Sequence, residues 1–550
     1  MLDGCVPRCE ADATEYRRAG YWAGESLGVA MRRWSAVHRD RTALVGAGRR
    51  YSYQELDAWV DRLAKGLRQR GVTRGDRVVV QLPNVPEFVA LCIALFRIGG
   101  IPVFALPAHR SHEIRHLCEI SGAVGYVVPD LHLGFDHREL AAEIQREAPA
   151  LKHIFVVGDP GGFTALSEVG ADVGSPLVPP AESAAPDEDE ADPSDVAFFL
   201  LSGGTTALPK LIPRTHDDYL YQIRATAEVC GLSERTVYLA VLPVEFNFTW
   251  GCPGILGTLH AGGTVVLAPN PSPEECFPLI AREQVTLTSV VPTIAHLWME
   301  AAPDAREDLG SLETLQIGSA KLHREVAERV TPTLGCRLQQ VFGMAEGLLT
   351  MTRRDDPVET VLTTQGRPIS PADEVRVADP LTGAPVPMGE VGELVTRGPY
   401  TLCGYYKAPE YNAKAFTDDG FFHTGDLVRL TADGNMVVEG RVKDVVIRGG
   451  DKVSATELEG HLINHPKVSQ AAVVALPDPV LGEAVCACVI ADGTAPRLIE
   501  LKKMLRARGV ADYKLPDHLE TYEAFPLTGL GKVDKKRLTA DVLRRATARA

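Results

Sequence analysis

Val196-Ala197-Phe198-Phe199-Leu200-Leu201-Ser202-Gly203-Gly204-Thr205-Thr206-Ala207-Leu208-Pro209-Lys210 is an apolar run that opens into a Gly/Thr loop closed by a lysine. The apolar part reads as a buried strand and the rest as a flexible polar loop. Glycines bare backbone N–H groups, threonines add donors and Lys210 adds charge, so the loop suits a polyphosphate tail. It breaks the Walker rule. Counted from Gly204, G-x-x-x-x-G-K-[ST] meets Pro209 where the second glycine belongs and Leu211 where the hydroxyl belongs, which argues against a Walker-type NTPase. Taken alone, the stretch is most simply an ordinary Gly/Thr turn after a strand.

Outward from this loop, the chain alternates helical patterns with short apolar runs. Upstream, residues 51 to 147 hold runs such as Val78 to Leu82 and Ile101 to Leu106; downstream stand Val237 to Leu242, Gly263 to Ala268, Leu287 to Val291 and Leu315 to Gly318. Strands alternating with helices imply parallel βαβ units, here in two series. Pro179 to Asp195, rich in Pro, Ala, Ser and acid, reads as a solvated connector between them. From Glu390 the strands shorten and carry turn signals, suggesting a β-rich subdomain, and a compact αβ tail follows a charged segment. The expected division is residues 1–442 and 443–550, with the boundary at Lys443.

At 550 residues the chain exceeds one ordinary domain, and its hydrophobic fraction of 45% supports sizeable cores. The net charge of −15 argues against a general nucleic-acid binder. Charges and turn residues interrupt every apolar stretch before membrane-spanning length, and the first residues lack a signal-peptide core, so a soluble cytoplasmic protein is expected. Eleven cysteines without C-x-x-C pairs indicate neither a zinc ribbon nor a disulfide framework. Cys486 and Cys488 would share one strand face, where packing is the expected role.

Further places suggest chemistry, each weakly alone. In Phe342-Gly343-Met344-Ala345-Glu346 the carboxylate emerges at a strand end and could hold Mg2+ through phosphates or water. In His423-Thr424-Gly425-Asp426 a carboxylate after a strand-like run could accept hydrogen bonds from ribose hydroxyls; taken alone, it reads more simply as a β-turn aspartate. Gly440-Arg441-Val442-Lys443-Asp444 and Arg448-Gly449-Gly450-Asp451-Lys452 frame the boundary, as a hinge with a glycine loop or simply as a linker. Pro526-Leu527-Thr528-Gly529-Leu530-Gly531-Lys532 puts a lysine at the tip of a glycine-flanked loop, able to carry a cation into a site elsewhere.

Together and in this order, from about Tyr51 to Lys532, these pieces resemble the adenylate-forming superfamily of acyl-CoA synthetases, luciferases and peptide-synthetase adenylation domains. Within it, Gln339 to Leu348, Thr396 to Thr401 and Gly404-Tyr405-Tyr406-Lys407 resemble the stand-alone aryl-acid-AMP ligases of siderophore pathways, of the salicylate and 2,3-dihydroxybenzoate types. The resemblance implies an α/β fold: a large N-terminal domain of two βα subdomains plus a β-rich one, and a small rotating α+β lid. It also implies ATP and Mg2+, with a phosphopantetheine thiol on a carrier protein in trans as second-step acceptor. Ser202, Gly203, Gly204, Thr205, Thr206 and Lys210 would hold the β- and γ-phosphates, Glu346 the metal, and Asp426 and Arg441 the ribose. Phe342 would pack on adenine, flanked by Val341, Gly343 and Met344, with Ser319, Ala320 and Lys321 at its edge. Lys443 matches the hinge, Gly449, Gly450 and Lys452 the thiolation loop, and Lys532 the lysine that bridges carboxylate and α-phosphate.

The aryl pocket implied by the resemblance comprises Phe246, Asn247, Phe248, Cys252, Gly318, Ser319, Lys321 and Leu349. It departs from the dihydroxybenzoate pattern, which carries His-Asn-Tyr and a later Ser where Phe246-Asn247-Phe248 and Cys252 stand here. A thiol is a weak partner for a 3-hydroxyl, so salicylate is expected over 2,3-dihydroxybenzoate. A ring-substituted salicylate, an aminobenzoate, free CoA as acceptor, and a non-catalytic binding protein remain as alternatives.

Overall fold

The computed structural model describes residues 2–171, 191–202, 208–380, 382–448, 451–478, 481–508, 510, 512–528 and 531–549. The connector at Pro179 to Asp195 therefore lies mostly outside the described residues, as do Gly203, Gly204, Thr205 and Thr206 of the loop and Gly449 with Gly450.

Two large sheets carry the first 370 or so residues. In the first, Val196–Leu201, Ile101–Phe104, Arg77–Val80, Gly125–Pro129, His153–Val157 and Thr164–Ala165 run parallel, and Leu211–Thr215 returns antiparallel along Val196–Leu201. The strands on either side of the Gly/Thr loop thus pair at the edge of the sheet, pinned where Ser202 N donates to Lys210 O at 2.9 Å. In the second sheet Arg337–Gly343, Thr314–Ile317, Leu287–Val290, Val237–Ala240, Thr264–Leu267 and Thr42–Gly46 run parallel. Both sheets have the βα character expected of them. The hairpin Thr42–Gly46 and Arg49–Ser52 belongs to the second sheet although it precedes every strand of the first. Tyr51 and Ser52 thus sit on the far edge of that sheet.

Helix Pro86–Arg97, apolar almost all round, is buried along nearly its whole length in one core cluster with residues of both sheets, among them Phe104, Phe198, Tyr238 and Leu267. Such a helix is soluble only inside a protein. Helix Tyr53–Gln69 begins at a capping box, Ser52 with Glu55, and buries Leu56, Val60, Leu63 and Leu67 at helical spacing.

The β-rich part is a four-stranded antiparallel sheet of Glu374–Ala378, Gly392–Arg397, Phe422–Leu430 and Met436–Arg441. It starts before Glu390, because Glu374–Ala378 is a largely uncovered strand whose alternation is too weak to announce itself. His423-Thr424-Gly425-Asp426 also departs from expectation. It lies inside the nine-residue strand Phe422–Leu430 and is not a turn; Gly425, at φ +69°, takes the local irregularity in the left-handed region and lets pairing continue to Leu430.

The last part is a five-stranded sheet of Asp451–Ser454, Val445–Arg448, Gly482–Ala491, Val468–Asp478 and His518–Tyr522, with helices Ala455–Leu462, Leu498–Ala507 and Lys535–Arg549. Cys486 and Cys488 pack in one buried cluster with Val474, Leu476 and Tyr522, as expected. This domain touches the rest where Ser454 Oγ donates to Glu439 O at 3.2 Å and Thr293 Oγ1 donates to Gly531 O at 3.3 Å. Gly460 faces His323 so closely that a Cβ would lie 2.9 Å from the ring. Among the described residues no helix is long and apolar enough to cross a membrane.

Candidate active site

Four charged groups from distant parts of the chain meet where the small domain docks. Asp426 and Arg441 are register partners on neighbouring strands, and Arg441 Nε lies 2.9 Å from Asp426 Oδ1. Burial pushes the Asp426 carboxyl up, opposed first by Arg441 and then by the Lys532 ammonium. Glu346 follows strand Arg337–Gly343; burial raises its carboxyl too, while the Tyr405 hydroxyl, donating to Oε1 at 2.8 Å, and Arg441 work against the rise. Lys532 completes the group. Burial, then Arg441, pull its ammonium down to about 8, against Asp426 and Glu346. A cation so held is near its titration point at neutral pH, as expected of a functional group.

Lys532 is clasped to Thr528: Thr528 N donates to Lys532 O at 2.7 Å, and Lys532 N to Thr528 Oγ1 at 3.3 Å. Gly531 before it takes φ +73°, and its carbonyl is the one Thr293 grips from the large domain. Backbone hydrogen bonds thereby hold Lys532 at the mouth of the site.

Of the residues expected at the phosphates, the Lys210 ammonium lies 3.9 Å from the Tyr411 ring centroid and 5.4 Å from that of Tyr405. Ser202 Oγ accepts from Lys210 N at 3.0 Å. Tyr405 thus connects Lys210 to Glu346, a role that its place in Gly404-Tyr405-Tyr406-Lys407 did not disclose. The Glu346 carboxylate fits Mg2+ held chiefly by nucleotide phosphates. Among the described residues no group of three or more His, Cys, Asp or Glu could hold a metal alone, and magnesium sites of this kind use one or two carboxylates plus phosphate oxygens.

Of the residues expected at adenine, Ser319 has φ +68°, a left-handed conformation uncommon outside glycine, and both Ser319 and Ala320 are exposed. Phe342 packs beside the cluster of Leu348, Leu394, Val428 and Met436, and keeps part of its surface open. Lys321 is taken up differently: Nζ lies 2.9 Å from Glu439 Oε2, and Glu439 also accepts from Arg429 at 2.8 Å. Its ammonium ties the loop after strand Thr314–Ile317 to the antiparallel sheet. Lys443 and Lys452 fall in a short helical turn and a strand, respectively.

Two glycines pack closely against residues expected to line the aryl pocket. A Cβ on Gly318 would come within 2.8 Å of Val341 O and 3.1 Å of the Phe248 ring; one on Gly343 would strike Leu349 Cδ2 at 2.2 Å. Phe248, Cys252, Val341 and Leu349 share one apolar cluster with Tyr400. Tyr400 Oη accepts from Leu349 N at 3.2 Å and donates to Asp373 at 2.6 Å, which fixes that wall from behind. Cys252 is buried, its thiol pushed well up by burial, with Gln222 Nε2 at 3.5 Å. Phe246, partly buried, turns its carbonyl to Trp250 N at 2.8 Å. Asn247 sits at the head of a short helix, with Nδ2 donating to Met344 O at 3.2 Å.

Residues 31–406 match the family of AMP-binding enzymes, and residues 457–532 match the AMP-binding enzyme C-terminal domain. The chain belongs to the AMP-binding enzyme family. It is an adenylate-forming ligase of the aryl-acid-AMP class. It is 52% identical over 538 residues to a 2,3-dihydroxybenzoate-AMP ligase of Bacillus subtilis, covering 98% of this chain and 97% of that protein. It is 47% identical over 548 residues to a salicyl-AMP ligase / salicyl-S-ArCP synthetase of Mycobacterium tuberculosis, covering 98% and 94%. Among solved structures, apo MbtA of Mycobacterium smegmatis is 45% identical, with a TM-score of 0.75 over 98% of each chain. The adenylate-forming ligase accordingly has the fold its sequence implied: two βα subdomains, a β-rich subdomain and a C-terminal domain.

Sequence reasoning missed the residues that hold others in place: Tyr405 and Tyr411 around Lys210, Tyr400 behind Leu349, Thr293 against Gly531, and Arg214, Tyr219 and Gln222 beneath Asn247. Arg214 and Tyr219 flank the charged run His216-Asp217-Asp218, which carries no recognisable site pattern. The tyrosine-rich Gly404 to Lys407 run was the one local signal available.

Proposed function

We propose that the protein activates salicylate, or a ring-substituted salicylate, to aryl-AMP and pyrophosphate, and then passes the acyl group to a phosphopantetheine thiol of an aryl carrier protein in the cytoplasm. The observation that carries the acid is Cys252. A 3-hydroxyl there would meet a neutral, weakly hydrogen-bonding thiol, and an unpaired buried hydroxyl costs about 1–3 kcal/mol, roughly tenfold or more in discrimination. Leu349, folded over Gly343, packs in the same apolar cluster as Cys252 and adds no hydrogen-bonding group for a 3-hydroxyl. The overall likeness to the dihydroxybenzoate ligase does not bear on this choice, since a pocket residue contributes almost nothing to identity over 538 residues.

An aryl carboxylate is ionised at neutral pH, so its attack on the α-phosphorus needs no general base. The task is to bring two anions together. Lys532, between Asp426 and Glu346, would bridge the carboxylate and the α-phosphoryl oxygens; Lys210, Ser202 and the loop between them would hold the leaving pyrophosphate. Asp426 and Arg441 would receive the ribose. Glu346 would hold Mg2+, which when bound neutralises phosphate charge. Rotation about Lys443 would then withdraw Lys532 and bring the segment of Gly449, Gly450 and Lys452 to the thiol's path.

A pyrophosphate-exchange panel over substituted benzoates tests the acid; strong preference for 2,3-dihydroxybenzoate would refute the choice. Thioester formation with free CoA and with an aryl carrier protein, side by side, tests the acceptor.

A further inference from the structure

Beneath the aryl pocket, buried hydrogen bonds run from Arg214 through Gln222 to Asn247, and each link has only one possible polarity. Arg214 is fully buried, and its Nη2 lies 3.0 Å from Gln222 Oε1. A guanidinium only donates, so the Gln222 end facing it must be the oxygen. The guanidinium is itself fixed by Asp218 at 3.0 Å, Ala345 O at 3.1 Å and Tyr400 O at 3.2 Å. Gln222 must then turn its amide nitrogen the other way, where it donates to Gly251 O at 2.9 Å and to Asn247 Oδ1 at 3.1 Å.

A donor at that point obliges Asn247 to present its oxygen to Gln222. Tyr219 Oη donates to the same oxygen at 2.9 Å, which occupies it twice. The other end of Asn247 is therefore –NH2, and the group it meets at 3.2 Å, Met344 O, only accepts. One Nδ2–H is taken there, and the second has no acceptor among the described residues. Asn247 thus offers the pocket a donor and cannot offer an acceptor.

We propose that Gln222 is a positioning residue that locks Asn247 as a donor, so that the enzyme selects aryl acids whose ortho group accepts a hydrogen bond and rejects isosteric acids whose ortho group only donates. The inference rests on the aryl-acid reading above. In salicylate the ortho hydroxyl proton turns to the neighbouring carboxylate and leaves oxygen lone pairs for Asn247. In anthranilate the amino lone pair is delocalised into the ring, and an N–H would face the Asn247 N–H. Two donors that cannot pair in a closed pocket are an unsatisfied buried contact.

The test measures kcat/KM for salicylate and anthranilate by pyrophosphate exchange in the wild type, Gln222→Met and Gln222→Glu. The wild type is expected to favour salicylate by about tenfold or more. Gln222→Met removes the donor that holds Asn247 Oδ1 and leaves Met344 O as the remaining fixed partner of the amide, so the ratio should fall by about threefold or more, through the aryl-acid KM, with kcat and the ATP KM little changed. Gln222→Glu keeps the volume but can only accept; it competes with Met344 O for the Asn247 nitrogen and should lower the ratio further, toward anthranilate. It also serves if Gln222→Met fails to fold. General damage to the pocket would slow both acids alike and leave the ratio unmoved. A wild type that exchanges with benzoates but keeps an unchanged ratio in both variants overturns the lock alone. A wild type that exchanges with no benzoate overturns the aryl-acid reading, and the lock with it.

Discussion

Lys532 should impose a falling alkaline limb on adenylation and not on thiolation. Its ammonium is drawn down to about 8 by burial and by Arg441. A lysine works as a bridging cation only when protonated, so the sign is a loss of activity as pH rises through that value. With a titration point near 8, the protonated fraction is about 0.9 at pH 7 and about 0.1 at pH 9, roughly a ninefold fall in kcat/KM for ATP. Kcat measured with ATP bound should fall later, because phosphate charge raises the lysine again. Lys532→Ala should lose about 10²–10³ in adenylate formation, the scale of removing one preorganised charge-stabilising donor. Transfer from supplied aryl-AMP to the thiol should stay within about threefold, since by then the bond Lys532 served has formed. Lys532→Arg, always charged, should be slow but level between pH 7 and 9. Rapid-quench measurement of each half-reaction separates these outcomes. A wild-type profile level from pH 7 to 9, or equal losses in both half-reactions for Lys532→Ala, would refute the reasoning.

Glu346→Gln keeps the acceptor for Tyr405 but removes the charge, so the Mg2+ concentration for half-maximal exchange should rise about tenfold, with the aryl-acid KM nearly constant; Mg2+ titration reads this. Cys252→Ser gives the pocket a good hydroxyl partner and should raise kcat/KM for 2,3-dihydroxybenzoate relative to salicylate by about tenfold, checked by the same exchange assay. Glu245 is buried, neither of its carboxylate oxygens has a hydrogen-bond partner among the described residues, and burial pushes its carboxyl up to about 8. The unfolded chain ionises this group near 4.5 and the folded one does not, so its burden on stability is absent at low pH and grows as pH climbs toward 8. Glu245→Gln should therefore gain melting temperature over the wild type progressively from pH 5 to 8, reaching on the order of a few kcal/mol; a pH-independent difference in thermal melts would contradict this.

Much of the architecture was legible because buried parallel strands are short apolar runs whatever they pair with. Val196–Leu201, Ile101–Phe104, Thr264–Leu267 and Leu287–Val290 all announced themselves in this way. Strand partners did not. Thr42–Gly46 joins Thr264–Leu267 across more than 200 residues, and nothing local to either run distinguishes that neighbour from any other. Asp426 taken alone read more simply as a turn residue, since a Gly before an Asp signals a turn unless the next strand supplies Arg441 opposite.

The sequence by itself determined the class of chemistry. Lys210, Glu346, Asp426, Arg441 and Lys532 carry charges and hydroxyl-rich or glycine-rich neighbours that are recognisable as residue types in a fixed order. Only the tertiary structure decided what those charges do to one another. Lys532 falls toward neutrality because folding brings it out of water beside Arg441, and Asn247 becomes a donor because a buried guanidinium two links away can only give hydrogen bonds. Ionisation and amide orientation are set by what stands within a few ångströms, and that proximity is a property of the folded chain.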